Sequence, residues 1–175
     1  MAAEPSEAAP APDGLWLTDD QQQVWRSYLL GVARIEDHLD KALRPLGLDV
    51  GDYEILVSLS EAPNRELRMS QLAAQVHQSR SRLTHGIARM ERDGLVSRTP
   101  AADDGRGVVA ILTDEGFALL VAAAPTHVQS VRDIFVDVVA PDDYAALGRA
   151  MAAVLAADPG EPAVPVPATI RRPRR

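Results

Sequence analysis

The sequence contains no cysteine, which excludes disulfides, thiolate metal sites, cysteine nucleophiles and redox sensing by thiols. Aromatic residues make up only 4% of the 175 residues, while 28 alanines favour helix over strand. No apolar run approaches the roughly 18 residues of a membrane-spanning helix, and the N-terminus lacks a basic region followed by a hydrophobic stretch. The cytoplasm is therefore the expected location.

The residues that several kinds of catalytic site require are also missing or scattered. None of the motifs GxSxG, HExxH, GxGxxG or the P-loop occurs. The four histidines include no pair at i, i+4, and they lie far apart in the sequence at His38, His77, His85 and His127. We therefore expect no metal site, no cofactor and no enzymatic activity.

The charge is unevenly distributed along the chain. The net charge is −7, but residues 61–112 carry eight arginines and six acids, which gives +2 and leaves −9 for the remainder. A basic segment inside an acidic protein can still present a cationic face to nucleic acid if its arginines cluster.

Hydrophobic periodicity predicts a mainly α (α+β) fold between two tails. Residues 1–17 and 158–175 are rich in proline and predicted to be disordered. Thr18 starts a long helix that ends before Pro45, and a later helix from Thr113 to about Val139 should be kinked or interrupted by Pro125. The other predicted helices run from Asp49 toward Pro63, from Ser70 to Val76, from Ser79 to Asp93, and from Pro141 to 157. The predicted strands are Leu95–Thr99, Val108–Leu112 and a minimal Leu67–Met69.

The two helices around residues 70–93 predict a helix-turn-helix. Only two or three residues separate them, so they must cross steeply. In the second helix, Arg82, His85 and Arg89 recur on the face opposite its apolar residues. Arginine can fork onto guanine, and serine and threonine suit phosphates or base edges. A solvated arginine face is the alternative explanation.

The loop after this helix-turn-helix predicts the wing of a winged helix. It carries Asp103, Asp104 and an arginine, Arg106, flanked by glycines. Such an arginine can enter a narrow minor groove, and a carboxylate can hold it, or an arginine of the preceding helix, by a charge-assisted hydrogen bond. An ordinary solvated turn is the alternative for the loop taken alone.

Residues 20–157 resemble the MarR family of regulators. The most specific segments are Leu72-Ala73 with Ser79, the run Met90–Val96, and Asp104–Val108 followed by Leu112-Thr113. The resemblance implies a winged helix-turn-helix with long N- and C-terminal dimerisation helices, ordered helix, helix, strand, helix, helix, strand, strand, helix, helix. It also implies a homodimer that binds a pseudo-palindromic operator, and a small aromatic or anionic effector. The implied DNA-binding residues are Ser70, Gln71, Ser79, Arg80, Ser81, Arg82, Thr84, His85 and Arg89, with Arg106 at the wing supported by Asp104.

The sequence suggests a division of labour and candidate effector contacts. Dimerisation helices are expected in 18–48 and 113–157, and the DNA-binding part in 49–112. The polar or aromatic candidates for effector contact are Trp25, Arg34, His38, Asp52 and Tyr53. Each also has a simpler interpretation as a core, interface or solvated residue.

Two functions remain open at this point. The first is a sequence-specific regulator of transcription that acts as a repressor and is released by an effector. The alternative is a winged-helix module that binds proteins, because the acidic net charge weakens long-range attraction to DNA. The arginine-rich end, residues 171–175, either adds phosphate contacts or solubilises the chain.

Overall fold

The computed structural model describes residues 16–76, 78–101 and 107–157. The predicted tails lie outside these ranges except for Trp16 and Leu17. The helices and strands follow the predicted order: α1 (Asp19–Leu43), α2 (Val50–Glu61), β1 (Glu66–Arg68), α3 (Met69–Gln75), α4 (Arg80–Arg92), β2 (Val96–Pro100), β3 (Val108–Leu112), α5 (Asp114–Val131) and α6 (Pro141–Ala156).

Polar caps determine where α1 and α2 begin. Thr18 and Gln21 form a capping box in which each side chain bonds the backbone N–H of the other residue. Asp49 and Asp52 form the same arrangement at the start of α2. In addition, the Val50 N–H donates to the Asp40 carboxylate at 2.8 Å. This bond fixes the start of α2 to the last turns of α1.

One hydrophobic core joins the helices to the sheet. The fully buried side chains of α2 are Ile55, Leu56 and Leu59. They pack against Leu72 of α3, against Leu43 of α1 and against three residues of α4, which are Leu83, Ile87 and Met90. Each such side chain contributes about 1.5–3 kcal/mol by leaving water. The apolar faces predicted for α3 and α4 are therefore the faces that the structure buries.

The sheet is antiparallel, with β3 between β1 and β2. Leu67 pairs with Ala110, and Val96 pairs with Leu112. The predicted minimal strand exists, beginning one residue earlier than expected. The sheet continues directly into α5, where Gly116 has no room for a side chain because a Cβ would lie 2.1 Å from the Leu95 carbonyl oxygen.

The predicted interruption at Pro125 was wrong. Pro125 lies inside α5, which continues to Val131 and then forms a π-helical turn at Arg132–Val136. Proline removes one N–H and crowds the carbonyl four residues earlier. Pro125 and Val121 are both exposed, so water can reach the Val121 carbonyl, and this lowers the cost. The helix nevertheless ends earlier than the predicted Val139.

No helix in the described ranges is both long enough and apolar enough to cross a membrane.

Candidate nucleic-acid interface

The turn between α3 and α4 is fixed against α2. Ser79 is the N-cap of α4, and its hydroxyl accepts a hydrogen bond from the Arg82 N–H at 3.2 Å. The Gln78 side-chain amide donates to the Gly51 carbonyl of α2 at 2.8 Å. A Cβ on Gly51 would lie 2.7 Å from the Gln78 amide nitrogen, so only glycine permits this contact. The turn therefore orients the polar face of α4 away from the core.

That polar face is basic and exposed. No acidic residue occurs between Arg80 and Met90. The Thr84 hydroxyl donates to the Arg80 carbonyl at 2.8 Å, so its hydrogen serves the helix itself. The exposed predicted DNA-binding residues of α4 are Arg80, Ser81, Arg82, Thr84, His85 and Arg89. The structure thus brings these six residues together on one helix.

Arg89 differs from the others because its guanidinium contacts a buried carboxylate. Its Nη2 bonds both carboxylate oxygens of Asp52, whose side chain is 5% exposed. Burial raises the pKa of Asp52 more than the bonds from Arg89 lower it. The same pair raises the pKa of Arg89, which remains charged. Arg89 therefore joins α4 to α2, in addition to any contact with DNA.

Asp49 lies between the two arginines at this edge of α4. Its Oδ2 is 3.8 Å from Nη2 of Arg82 and 3.8 Å from Nη2 of Arg89. The Arg82 side chain is 63% exposed, so water screens this attraction. Arg82 can therefore leave Asp49 for a stronger anion at little cost.

The predicted contacts outside α4 have different surroundings. Ser70 and Gln71 are exposed in the first turns of α3, and the Gln71 amide oxygen accepts a hydrogen bond from the Arg68 N–H at 3.1 Å. Asp104 and Arg106, the predicted wing residues, lie outside the described residues.

The base of the hairpin is tied to α4 and to α5. The Ala101 N–H donates to the Gly107 carbonyl at 2.9 Å. Arg98 of β2 forms an ion pair with Glu91 of α4 through two of its nitrogens. The Thr113 hydroxyl donates toward the carbonyls of residues 94 and 95 and accepts the Gly116 N–H at 3.0 Å. The hairpin and α4 are thus braced as one unit.

Comparison with known proteins identifies this arrangement. A MarR family model matches residues 46–107. The crystal structure of Sco3205, a MarR family transcriptional regulator from Streptomyces coelicolor in complex with DNA, has 45% sequence identity and a TM-score of 0.75, covering 80% of this chain and 92% of that one. The chain belongs to the MarR family.

Two further MarR-family relatives support this membership. AbsC from Streptomyces coelicolor has 44% identity and a TM-score of 0.74, covering 80% of this chain and 95% of that chain. The HTH-type transcriptional regulator PecS of Dickeya dadantii is 35% identical over 102 residues, which is 57% of this chain and 61% of that protein. The match therefore spans about three-fifths of this curated relative.

The five effector candidates of this MarR-family chain do not form one cluster. Trp25 stacks on Tyr28 at a ring-centroid distance of 5.7 Å and is exposed, as is Arg34. Asp52 is bonded to Arg89. His38 lines an open groove of about 600 Å³ between α1 and α5.

Tyr53, the fifth candidate, stacks on His127 of α5 with ring centroids 4.1 Å apart. Burial raises the pKa of the Tyr53 hydroxyl and lowers the pKa of His127. Both rings are therefore neutral near pH 7, and together they connect α2 to α5.

Sequence reasoning missed the residues that position α4 without facing outward. Asp49 and Gln78 belong to this group, as do Arg68 and Arg98 at the foot of the hairpin. The capping pattern of Asp49 with Asp52 was readable. The partners of Gln78, Arg68 and Arg98 depend on how the helices and strands cross.

Proposed function

We propose that this transcriptional regulator binds double-stranded DNA sequence-specifically and represses transcription from its operator. The exposed, acid-free face of α4 carries the proposal. Sco3205, 45% identical, is described in complex with DNA, which supports the same partner here. We propose that the chain acts by binding alone, with no catalytic step, and in the cytoplasm, where its operator would be.

In the proposed binding mode α4 enters the major groove. Arg80 and Arg82 near its N-terminus are then placed to contact guanine O6 and N7, and Ser81 and His85 lie beside them. The hairpin tip, with Arg106 and Asp104, enters the adjacent minor groove. This assignment of the tip rests on the sequence.

We propose that the functional unit is a homodimer. The N-terminal half of α1 exposes large apolar side chains, among them Val24 and Leu30, each at least 70% exposed in this chain. Helix α6 buries none of its residues, and Leu155 is 85% exposed. Apolar surface of this extent is typical of an interaction site. Residues 18–48 and 113–157 would form the dimer, and residues 49–112 would read the DNA at half-sites about 34 Å apart.

Selection from a random duplex pool tests the proposed function. The wild-type protein is expected to enrich a pseudo-palindrome, and its affinity should fall with log[salt] with a slope of about −0.9 per phosphate contact. Arg82→Gln should lose about 1–3 kcal/mol of base discrimination in each half-site. Arg44→Gln removes the same charge at the end of α1 and serves as the control. Failure to enrich any sequence would favour the protein-binding module instead.

We further propose that a small aromatic or anionic effector releases the operator. Its candidate site is the groove between α1 and α5, lined by His38, Lys41, Thr126, Gln129, Ser130 and Asp133 among others. An effector bound there shifts DNA affinity only if it binds the two conformations unequally. Aromatic carboxylates should dissociate the wild-type complex with DNA, and His38→Ala should require higher concentrations. Equal responses of both proteins would remove the groove from consideration.

A further inference from the structure

A second polar cleft lies between the helix-turn-helix and the foot of the hairpin. Its volume is about 370 Å³, which corresponds to about a dozen water molecules at roughly 30 Å³ each. The residues that line it include Arg68, Met69, Ser70, Thr84, Arg98 and Gly107. No acidic side chain lines the cleft among the described residues. The cleft is therefore suited to an anion.

Arg68 reaches across the foot of the hairpin because residue 107 is a glycine. A Cβ at Gly107 would lie 3.0 Å from Nη1 of Arg68 and 3.3 Å from the Ala101 Cβ. Any larger residue at this position would force the guanidinium to move. The backbone thus leaves room for one arginine to lie along the cleft wall.

Arg98 supplies a second guanidinium from the opposite strand. Glu91 occupies its Nε and one position on Nη2. A guanidinium has five N–H groups, so three remain for a ligand. The exposed Ser70 hydroxyl adds a donor, whereas the hydrogen of the Thr84 hydroxyl is used by the Arg80 carbonyl. Donors without acceptors, two of the side chains being cationic, match a phosphate.

The position of the cleft indicates which phosphate it meets. With α4 in the major groove and the hairpin tip in the minor groove, one DNA strand must cross the protein between them. The surface between α4 and the hairpin is this cleft. We propose that it binds a backbone phosphodiester of that strand through Arg68, Arg98 and Ser70. The proposal rests on the proposed DNA-binding function and assigns it a contact that is independent of sequence.

Arg68→Gln tests the proposal in the full-length dimer, with Arg44→Gln as the charge-matched control. Losing one phosphate contact per subunit should make the slope of log K against log[salt] shallower by about 1.8. Extrapolated to 1 M salt, this corresponds to about 30-fold weaker binding at 0.15 M. The loss should be equal on the selected operator and on a scrambled duplex. Arg68→Lys should restore the slope, and Gly107→Ala should weaken binding with no change in charge.

The outcomes separate this proposal from the proposed function. If wild type binds the operator and Arg68→Gln keeps both its affinity and its salt slope, the cleft proposal fails while DNA binding stands. A loss confined to the operator, with an unchanged slope, would make Arg68 a residue that positions α4 and would equally overturn the proposal. So would a melting temperature that millimolar inorganic phosphate raises in wild type but not in Arg68→Gln, with DNA binding equal in the two proteins. Failure of wild type to bind any duplex would reject the proposed function itself.

Discussion

The ion pair between Asp52 and Arg89 predicts that its two halves are unequal in their cost to stability. Arg89→Gln leaves a carboxylate that is 5% exposed with no cation bonded to it and with Asp49 nearby. Removing one partner of a buried pair costs about 3–5 kcal/mol. The Arg89 side chain is 44% exposed, so water already screens part of the attraction, and we expect about 3 kcal/mol, the low end of that range.

Asp52→Asn should cost less. The arginine that remains is half-exposed and can be solvated, and asparagine can still accept one hydrogen bond from it. The change replaces a charged bond by a neutral one, which is worth about 1 kcal/mol. It also removes the penalty of burying a charge, which acts in the opposite direction.

The two variants should also respond oppositely to pH. Burial raises the pKa of Asp52 above 3.8 in the folded protein, so the folded state binds more protons than the unfolded state just above pH 3.8. Stability contributed by this group is present below pH 3.8 and is lost as pH rises through the folded pKa. Without Arg89 the folded pKa rises further and this loss becomes larger. The cost of Arg89→Gln should therefore increase from pH 4.5 to pH 7.5, whereas the cost of Asp52→Asn should decrease.

Urea unfolding of wild type and both variants at the two pH values measures these differences. Asp37→Asn is the control, because its ion pair with Lys41 lies on the surface of α1 and should matter little. Equal costs for the two variants, or the same sign of pH dependence, would refute the assignment of a buried carboxylate balanced by one arginine.

Four further predictions concern stability, assembly and the tail. Gly86→Ala should stabilise α4 by up to about 1 kcal/mol, because the nearest atom to the new Cβ lies at an ordinary 3.5 Å, whereas Gly116→Ala should destabilise strongly; thermal melts would show a wrong sign for either. Thr113→Ala should cost about 1–2 kcal/mol in urea unfolding, because the N-cap of α5 is lost. Leu155→Glu should shift the dimer toward monomer in sedimentation, and an unchanged dimer would place α6 outside the interface. Deleting residues 159–175, which contain four of the arginines, should make the salt slope shallower on every duplex; an identical slope would leave the tail without a role in binding.

The sequence was sufficient for the elements whose signals are local. The capping box at Thr18 predicted the start of α1, Ser79 predicted the start of α4, and the β-branched run predicted β3 with the bounds observed. Pro125 was different, because its cost depends on whether the carbonyl of residue 121 is exposed to water, and only the packing of α5 decides that.

The candidate site was predictable only on its outward face. Spacing along one helix placed Arg82 and His85 on the same side. It could not separate Arg89 from them, because the partner of Arg89 is 37 residues away, on a helix that crosses α4 near its middle. A pairing of this kind depends on the crossing of two helices, and neither helix encodes it alone.

The ion pair between Arg98 and Glu91 limits how this protein can adapt to different DNA sequences. It prevents the first strand of the hairpin from sliding along the helix that precedes it, so each subunit spans its half of the operator as a ruler of fixed length. Adjustment to a longer or shorter spacer must then come from swivelling one subunit against the other. Variation among its natural targets should accordingly be concentrated in the base pairs at the centre of symmetry, with the spacing inside each half held constant.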